Sequence, residues 1–100
     1  MPSRRIRQLY LSRQALNDLQ EIYAYGVDNW GLGRSDEYLA KLEQQTLDLL
    51  ENPFIGKVRQ DIGQELRSLK CGRHLIVYRV CGRVVEIARI LHERQDPSSH

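Results

Sequence analysis

One hundred residues, 41% of them hydrophobic, make a single domain over 1–100 with one core and little to spare. A net charge of +2 does not by itself call for nucleic acid, and no run approaches the roughly 20 apolar residues that span a bilayer. Two cysteines without metal-ligand spacing, and no secretory leader, lead us to expect reduced thiols, no metal, no cofactor and a soluble cytoplasmic protein.

Met1 to Arg5 is basic and is expected to fray, as is the polar stretch 93–100. Ile6 to Leu11 predicts a short strand with Leu9 and Leu11 on one face and Tyr10 on the other. Ser12 is placed to cap a helix, because its hydroxyl can take an orphan amide of the first turn. The helix is expected over about 13–29. Its inner face carries Ala15, Leu19, Ile22 and Gly26, supported by Leu16 and Tyr23, while Gln14, Asp18, Glu21 and Asp28 fill the remaining surface. Trp30-Gly31-Leu32-Gly33 interrupts it, since closely spaced glycines weaken a helix. A second helix is expected over about 32–51, with Tyr38, Leu39, Leu42, Thr46, Leu49 and Leu50 inside. Pro53 ends it by pushing the preceding residue out of the α region. Two long helices with so short a link pack as an antiparallel pair.

Phe54 to Gln64 is expected as an irregular loop, and Glu65 to Lys70 as a strand with Leu66 and Leu69 on opposite faces. Two runs rich in β-branched residues, within Arg73 to His92, flank Cys81-Gly82 and predict a hairpin with Gly82 at positive φ. Pairing Val80 with Arg83 sets Tyr78 against Val85, Ile76 against Ile87 and His74 against Arg89 on the helix-covered face. The other face then carries Arg79 with Val84, Val77 with Glu86, Leu75 with Ala88 and Arg73 with Ile90, and His92 beyond. That mixed face reads as semi-exposed, and a longer loop would change the parity. The order is β-α-α-β-β-β, an α+β fold with a helical hairpin on a small, mainly antiparallel sheet.

Charge is unevenly spread. Residues 1–11 hold three arginines and no acid, 12–53 hold three basic and eight acidic side chains, and 54–100 hold nine basic and five acidic. An acidic middle therefore lies between basic ends, read either as solvated faces or as a functional basic patch. No phosphate loop, zinc spacing or nucleophile elbow is present. Cutting RNA by 2′-hydroxyl attack needs proton-transfer groups and cations at the phosphate, and Arg67, Arg73, Arg79, Arg89 and His92 lie on or beside the last strands. His92 or Tyr78 could move protons in such a site. The competing reading has these arginines paired with Glu65, Glu86 and Glu93, Tyr78 in the core, His74 structural and Trp30 packed under the helix–helix turn. Exposed apolar edges on the helical hairpin could dock a partner helix.

Leu11-Ser12-Arg13-Gln14-Ala15, Asp18-Leu19, Ile22, Trp30-Gly31, Tyr38-Leu39 and Leu42 resemble the opening half of the RelE/ParE superfamily of bacterial toxins. Asn52-Pro53, Gly56, Glu65-Leu66-Arg67, Gly72-Arg73-His74, Val77-Tyr78-Arg79-Val80 and Ile87-Ala88-Arg89-Ile90-Leu91-His92 continue the likeness over roughly residues 6–96. The resemblance implies the toxin of a type II toxin–antitoxin pair, held inactive in a hetero-oligomer by a cognate, ParD-like antitoxin. RelE-like members are ribosome-dependent mRNA endonucleases whose sites combine several Lys and Arg with a Tyr or His; ParE-like members inhibit DNA gyrase. The loop after the second helix holds only Lys57 and Arg59, no tyrosine follows His92, and the ending Ile90 to Asp96 resembles the ParE branch. A pI of 8.7 is also low for a protein that finds a ribosomal site by charge.

The expectation is thus a non-enzymatic gyrase inhibitor with no catalytic residues and no direct nucleic-acid binding. Antitoxin contacts are expected on the helical hairpin, with Leu16, Tyr23, Trp30 and Tyr38 as candidates, and an antitoxin with basic residues would suit the acidic 12–53 face. Gyrase contacts are expected on Arg73, Arg89, His92 and Arg94. The alternative is a RelE-like endonuclease with Arg67, Arg73 and Arg79 at the phosphate and His92 in proton transfer. A third reading is a toxin fold that binds an antitoxin and has lost its activity.

Overall fold

The computed structural model describes residues 7–98. The basic start Met1 to Arg5, Ile6 of the predicted first strand, and Ser99 and His100 of the predicted tail lie outside the described residues. The chain runs β1 (Gln8–Leu11), α1 (Arg13–Trp30), α2 (Leu32–Glu51), β2 (Lys57–Val58), β3 (Arg67–Cys71), β4 (His74–Cys81) and β5 (Val84–His92), then a 3-10 turn, Glu93–Gln95. The sheet order is β1-β5-β4-β3-β2, with β1 parallel to β5 and every other pair antiparallel. This is the expected α+β arrangement with one strand more. Lys57–Val58 pairs with Ser68 and Arg67 inside the stretch expected as loop, and two residues are too few to show alternation. Among the described residues no helix is long and apolar enough to cross a membrane.

Ser12 fixes the start of α1 as expected. Its Oγ accepts the Ala15 N–H at 3.0 Å and donates to the Ala88 carbonyl at 2.7 Å, while its own N–H donates to Ile87 O. Gly31 alone separates the helices, at φ +88°, a backbone state that L side chains resist. Its N–H closes α1 on Val27 O, and its carbonyl accepts from Ser35 to open α2. The second helix ends at Glu51, before Asn52-Pro53.

The terminal hairpin has the expected parity near its turn and a different register. Cys81 pairs with Val84, so Gly82 and Arg83 form the loop, with Gly82 first at φ +59°. That placement matches a type II′ turn, which takes glycine at its first central position. Tyr78 consequently lies opposite Ile87 and Val80 opposite Val85, and Arg79 meets Glu86 rather than Val84. A register shift between Val77 and Tyr78 then moves the rest of β5 by one residue, bringing His74 opposite His92 and Ile76 opposite Ile90. The expected pairs of His74 with Arg89 and Arg73 with Ile90 are therefore replaced. α1 holds the irregular stretch: Ser12 takes the Ala88 carbonyl, and the Ile90 N–H donates to Asp18 at 2.8 Å. Such an extra residue re-aims the strand beyond it, here turning Ile90 under the helices.

Ala15, Leu42, Leu49, Ile76, Tyr78, Val85 and Ile87 are fully buried between helices and sheet, with Leu9, Leu11, Leu19 and Ile22 packed around them. Burial of aliphatic and aromatic side chains at about 1.5–3 kcal/mol each dominates the stabilisation. Tyr78 brings its hydroxyl with it. Oη donates to Pro53 O at 2.7 Å and accepts the Gly56 N–H at 2.8 Å, so the polar tip is satisfied by the loop that follows α2. A Cβ on Gly56 would lie 2.5 Å from that oxygen.

The second face of the sheet is more covered than expected. Leu75 and Val77 are buried beneath Leu66, with Ile62 alongside, so the loop between β2 and β3 roofs part of it. Segment 93–98, expected as a frayed tail, is held as well. The Glu93 N–H donates to Arg73 O at 2.8 Å, and the Asp96 carboxylate is paired with buried Arg59. Cys71 is buried and Cys81 exposed, both as free thiols.

Candidate functional site

Helical spacing places Asp18, Glu21, Ile22 and Tyr25 on one stripe of α1, positions i, i+3, i+4 and i+7. That stripe faces the open end of the β4–β5 hairpin, where His74 and His92 are paired. Between them lies a cleft of about 700 Å³. Trp30 and Tyr38 close it on the helical side, Gly72 and Arg73 at the β3–β4 turn, and Arg94 and Gln95 at the 3-10 turn. A volume of this size suits a small ligand or a short stretch of chain.

The base of the cleft is a polar relay. Tyr38 Oη accepts the Arg73 N–H at 3.0 Å and lies 2.6 Å from His74 Nδ1, with Cys71 O further off at 3.3 Å. The contacts fit two proton arrangements: the hydroxyl donates to Nδ1, or Nδ1–H donates to Oη while the hydroxyl donates to Cys71 O. Burial, then the neighbouring His92, pushes the His74 imidazole below its ordinary value, against a weaker opposite pull from Glu93 and Asp18. Burial raises the Tyr38 hydroxyl in turn. The two imidazole rings meet edge to face at 5.3 Å. His92 Nδ1 accepts the Arg94 N–H at 3.1 Å while Gln95 Oε1 accepts the His92 N–H at 2.8 Å, a capping box that sets the 3-10 turn.

Charge around the cleft is partly committed. Arg89 forks onto Asp18, Nε to Oδ2 at 2.9 Å and Nη2 to Oδ1 at 3.1 Å, and the same carboxylate takes the Ile90 N–H. The Arg73 and Arg94 side chains have no hydrogen bond or ion pair among the described residues. Tyr25 and Trp30 stack edge to face at 5.7 Å on the rim, both well exposed. Among the described residues the ring nitrogens of His74 and His92 meet Tyr38 Oη and the Arg94 N–H, and neither ring is hydrogen-bonded to a carboxylate. Among the described residues no cluster of three or more His, Cys, Asp or Glu is placed to hold a metal.

All four residues expected to meet gyrase, Arg73, Arg89, His92 and Arg94, line this cleft, as do Trp30 and Tyr38 from the antitoxin set. Trp30 is 46% exposed rather than packed beneath the turn. Leu16 and Tyr23 lie outside the cleft: Leu16 is 49% exposed, and Tyr23 Oη donates to Asp36 at 2.8 Å across the helical pair. The four residues of the endonuclease alternative do not come together. Arg67 donates to the carbonyls of Phe54 and Gly56 and covers the Phe54 ring, and Arg79 faces Glu86 at 3.6 Å near the hairpin turn. Tyr78, offered as a proton carrier, is fully buried with both hydroxyl contacts made to backbone. Asp18, Glu21 and Tyr25 were absent from the candidates, although their spacing on α1 was legible.

A family model described as the ParE toxin of the type II toxin–antitoxin system parDE matches residues 9–97, nearly every described residue. The chain belongs to the ParE toxin family. Toxin ParE1 of Mycobacterium tuberculosis H37Rv is 34% identical over 87 residues, covering 86% of this chain and 89% of that one. Toxin ParE1 of Caulobacter vibrioides is 32% identical over 90 residues, covering 90% and 93%. Among solved structures, a chromosomal ParDE toxin–antitoxin system from P. aeruginosa superposes with a TM-score of 0.76 at 22% identity, over 89% of this chain and 98% of that chain. The latter likeness is one of fold. In this ParE-family toxin the helical pair and the mixed sheet are thus family scaffold, and the cleft is formed where they part.

Proposed function

We propose that this ParE-family toxin acts in the cytoplasm by binding DNA gyrase through the cleft and its basic rim, and that a cognate antitoxin neutralises it by covering the same region. The observation that carries this reading is the ParE match over residues 9–97, joined to the dispersal of Arg67, Arg73, Arg79 and His92. A phosphate site needs its cations within one ligand's reach, and here two of the three arginines serve the loop after α2 and the hairpin turn. The acidic helical pair beside a basic cleft wall also suits a protein partner with alternating charge.

One observation favours the endonuclease alternative, namely that Arg73 and His92 do share the cleft. Two assays on the purified toxin separate the readings. Loss of gyrase supercoiling with mRNA left intact on translating ribosomes is the expected result, and cleaved transcripts with normal supercoiling would establish the alternative. Inactivity in both assays, with antitoxin binding retained, would mark a toxin fold that has lost its action. Arg73→Ala with His92→Ala is expected to relieve gyrase inhibition at least tenfold while circular dichroism shows the fold intact.

A further inference from the structure

Away from the cleft, Phe54, Ile55 and Val58 each stand more than half exposed, on or just before β2. That strand ends the sheet order, with no further strand beyond it among the described residues. Its hydrogen bonding is open on the same side. Lys57 pairs with Ser68 and Val58 with Arg67, and the Arg59 N–H donates to Leu66 O at 2.8 Å. Bonds in an antiparallel ladder alternate, so the N–H and C=O of Val58 turn away from β3 toward the free edge. We propose that this edge pairs with the same edge of a second copy of the chain, β2 against β2 about a two-fold axis at Val58. Each Val58 N–H then donates to the other copy's Val58 carbonyl, and the two five-stranded sheets become one.

Both faces of such a seam suit a copy of this chain. A two-fold axis makes the pairing antiparallel, setting Val58 against its counterpart and Lys57 opposite the other copy's Arg59. Val58 is on the helix-covered face, because its partner Arg67 lies opposite fully buried Tyr78. The Phe54 ring is on that side too, its centre 5.1 Å from the Arg67 guanidinium carbon. Two copies therefore join their exposed apolar side chains into one cluster across the axis. The other face is matched in charge. Lys57 is exposed and its ammonium makes no ion pair among the described residues. The arginine it would face is already held by Asp61 through Nε and Nη2, and the Asp61 side chain is nearly half exposed. The segment thus carries a free cation at Lys57 and an open acid at Asp61, and antiparallel pairing of like strands brings the two together, twice by symmetry. None of Phe54, Ile55, Lys57 and Val58 lines the cleft, so the pair offers two open clefts on one particle. The inference does not depend on what those clefts bind.

Sedimentation velocity of the full chain over a concentration series tests this, with reductant present because Cys81 is exposed. The mass is expected to rise toward that of two chains, and the Val58 amide hydrogen to exchange more slowly as it does. Val58→Pro addresses the seam alone. Proline is tolerated where a strand's N–H faces outward, so circular dichroism should be unchanged while the dissociation constant rises about tenfold or more. Lys57→Glu, a change at an exposed side chain, sets like charges across the axis and is expected to weaken association about fivefold at low salt and less at high salt. A chain that stays single at every concentration overturns the proposal. Association indifferent to Val58→Pro or to Lys57→Glu does the same, because the copies would then meet by another surface. So does a Val58 amide that slows only when a different protein is added, which would give the edge to that partner.

Discussion

Arg59 is the charged side chain taken furthest out of water among the described residues, at 5% exposure. Its guanidinium donates to Asp61 through Nε at 2.9 Å and Nη2 at 2.7 Å, to Ser68 Oγ at 3.1 Å, and to Asp96. One cation therefore ties the loop before β3 to the segment after β5. It also stands behind the cleft wall, since Arg94 and Gln95 precede Asp96 by one or two residues. Breaking such a pair costs more than it contributes as a pair, because the remaining charges lose their partner. Arg59→Met is expected to lower stability by about 2 kcal/mol, at the low end because both carboxylates keep some water. That corresponds to a fall in Tm on the order of 10 °C in a domain this small, measurable by thermal denaturation. The side-chain hydrogen bond from Arg59 is the first cause that holds Asp96 near pKa 2, below its ordinary 3.8. A lowered folded-state pKa stabilises above 3.8 and is lost as pH falls through 2. Urea titrations at pH 4 and pH 2 should show that loss in the parent and a smaller one in Arg59→Met. Beyond nearby Asp61, nothing in the local pattern marked Arg59 as more than a loop cation, because its other partners lie up to 39 residues away.

Elements with local signals were legible before any coordinates. Ser12, the 3.6-residue spacing from Ala15 to Gly26, Gly31 and Pro53 each act within a few residues, and together they bound both helices to within one residue. Elements governed by distant partners were not. The register shift at Val77/Tyr78 has no composition of its own; it is held by Ser12 and Asp18 of a helix some 70 residues earlier, and it re-aims Ile90 and His92. The two-residue β2 and the roof of Leu66 and Ile62 over the second face depend likewise on what they meet. The cleft was half legible. Its arginines and His92 stood out by charge, whereas the stripe Asp18, Glu21 and Tyr25 looked like solvated helix surface. Ser12 tests the link between helix start and strand. Ser12→Ala removes both the cap and the contact to Ala88 O and is expected to cost about 1–2 kcal/mol. Ser12→Asp keeps an acceptor for the Ala15 N–H but cannot donate to Ala88 O, so it should recover only part of that loss in a denaturant titration. Full recovery would mean that the strand contact adds nothing.

At the scale of the whole molecule, the apolar core joins helices to sheet, and polar contacts fasten them at Ser12 and at the cleft end. Arg89 with Asp18 fastens α1 to β5, and Tyr38 with His74 and the Arg73 N–H fastens α2 to the β3–β4 hairpin. The second fastening requires His74 to keep Nδ1 free of a proton if the Tyr38 hydroxyl is to donate to it. Its folded-state pKa lies below the ordinary 6.5, mainly through burial and then through His92, so the unfolded chain binds the proton more readily. By linkage, the stabilisation is whole above pH 6.5 and is lost as pH falls from there through the lowered folded value. Acid therefore loosens α2 from the sheet where the cleft opens, long before the carboxylates titrate. Urea midpoints at pH 7.5 and pH 5 are expected to fall for the parent chain and to change less for His74→Gln, whose amide cannot take up the proton. Exchange of the Arg73 amide hydrogen should quicken over the same interval in the parent, because that N–H depends on Tyr38 Oη staying in place. An equal fall in both proteins would place the acid sensitivity outside His74, and the helix–sheet fastening would then be independent of pH.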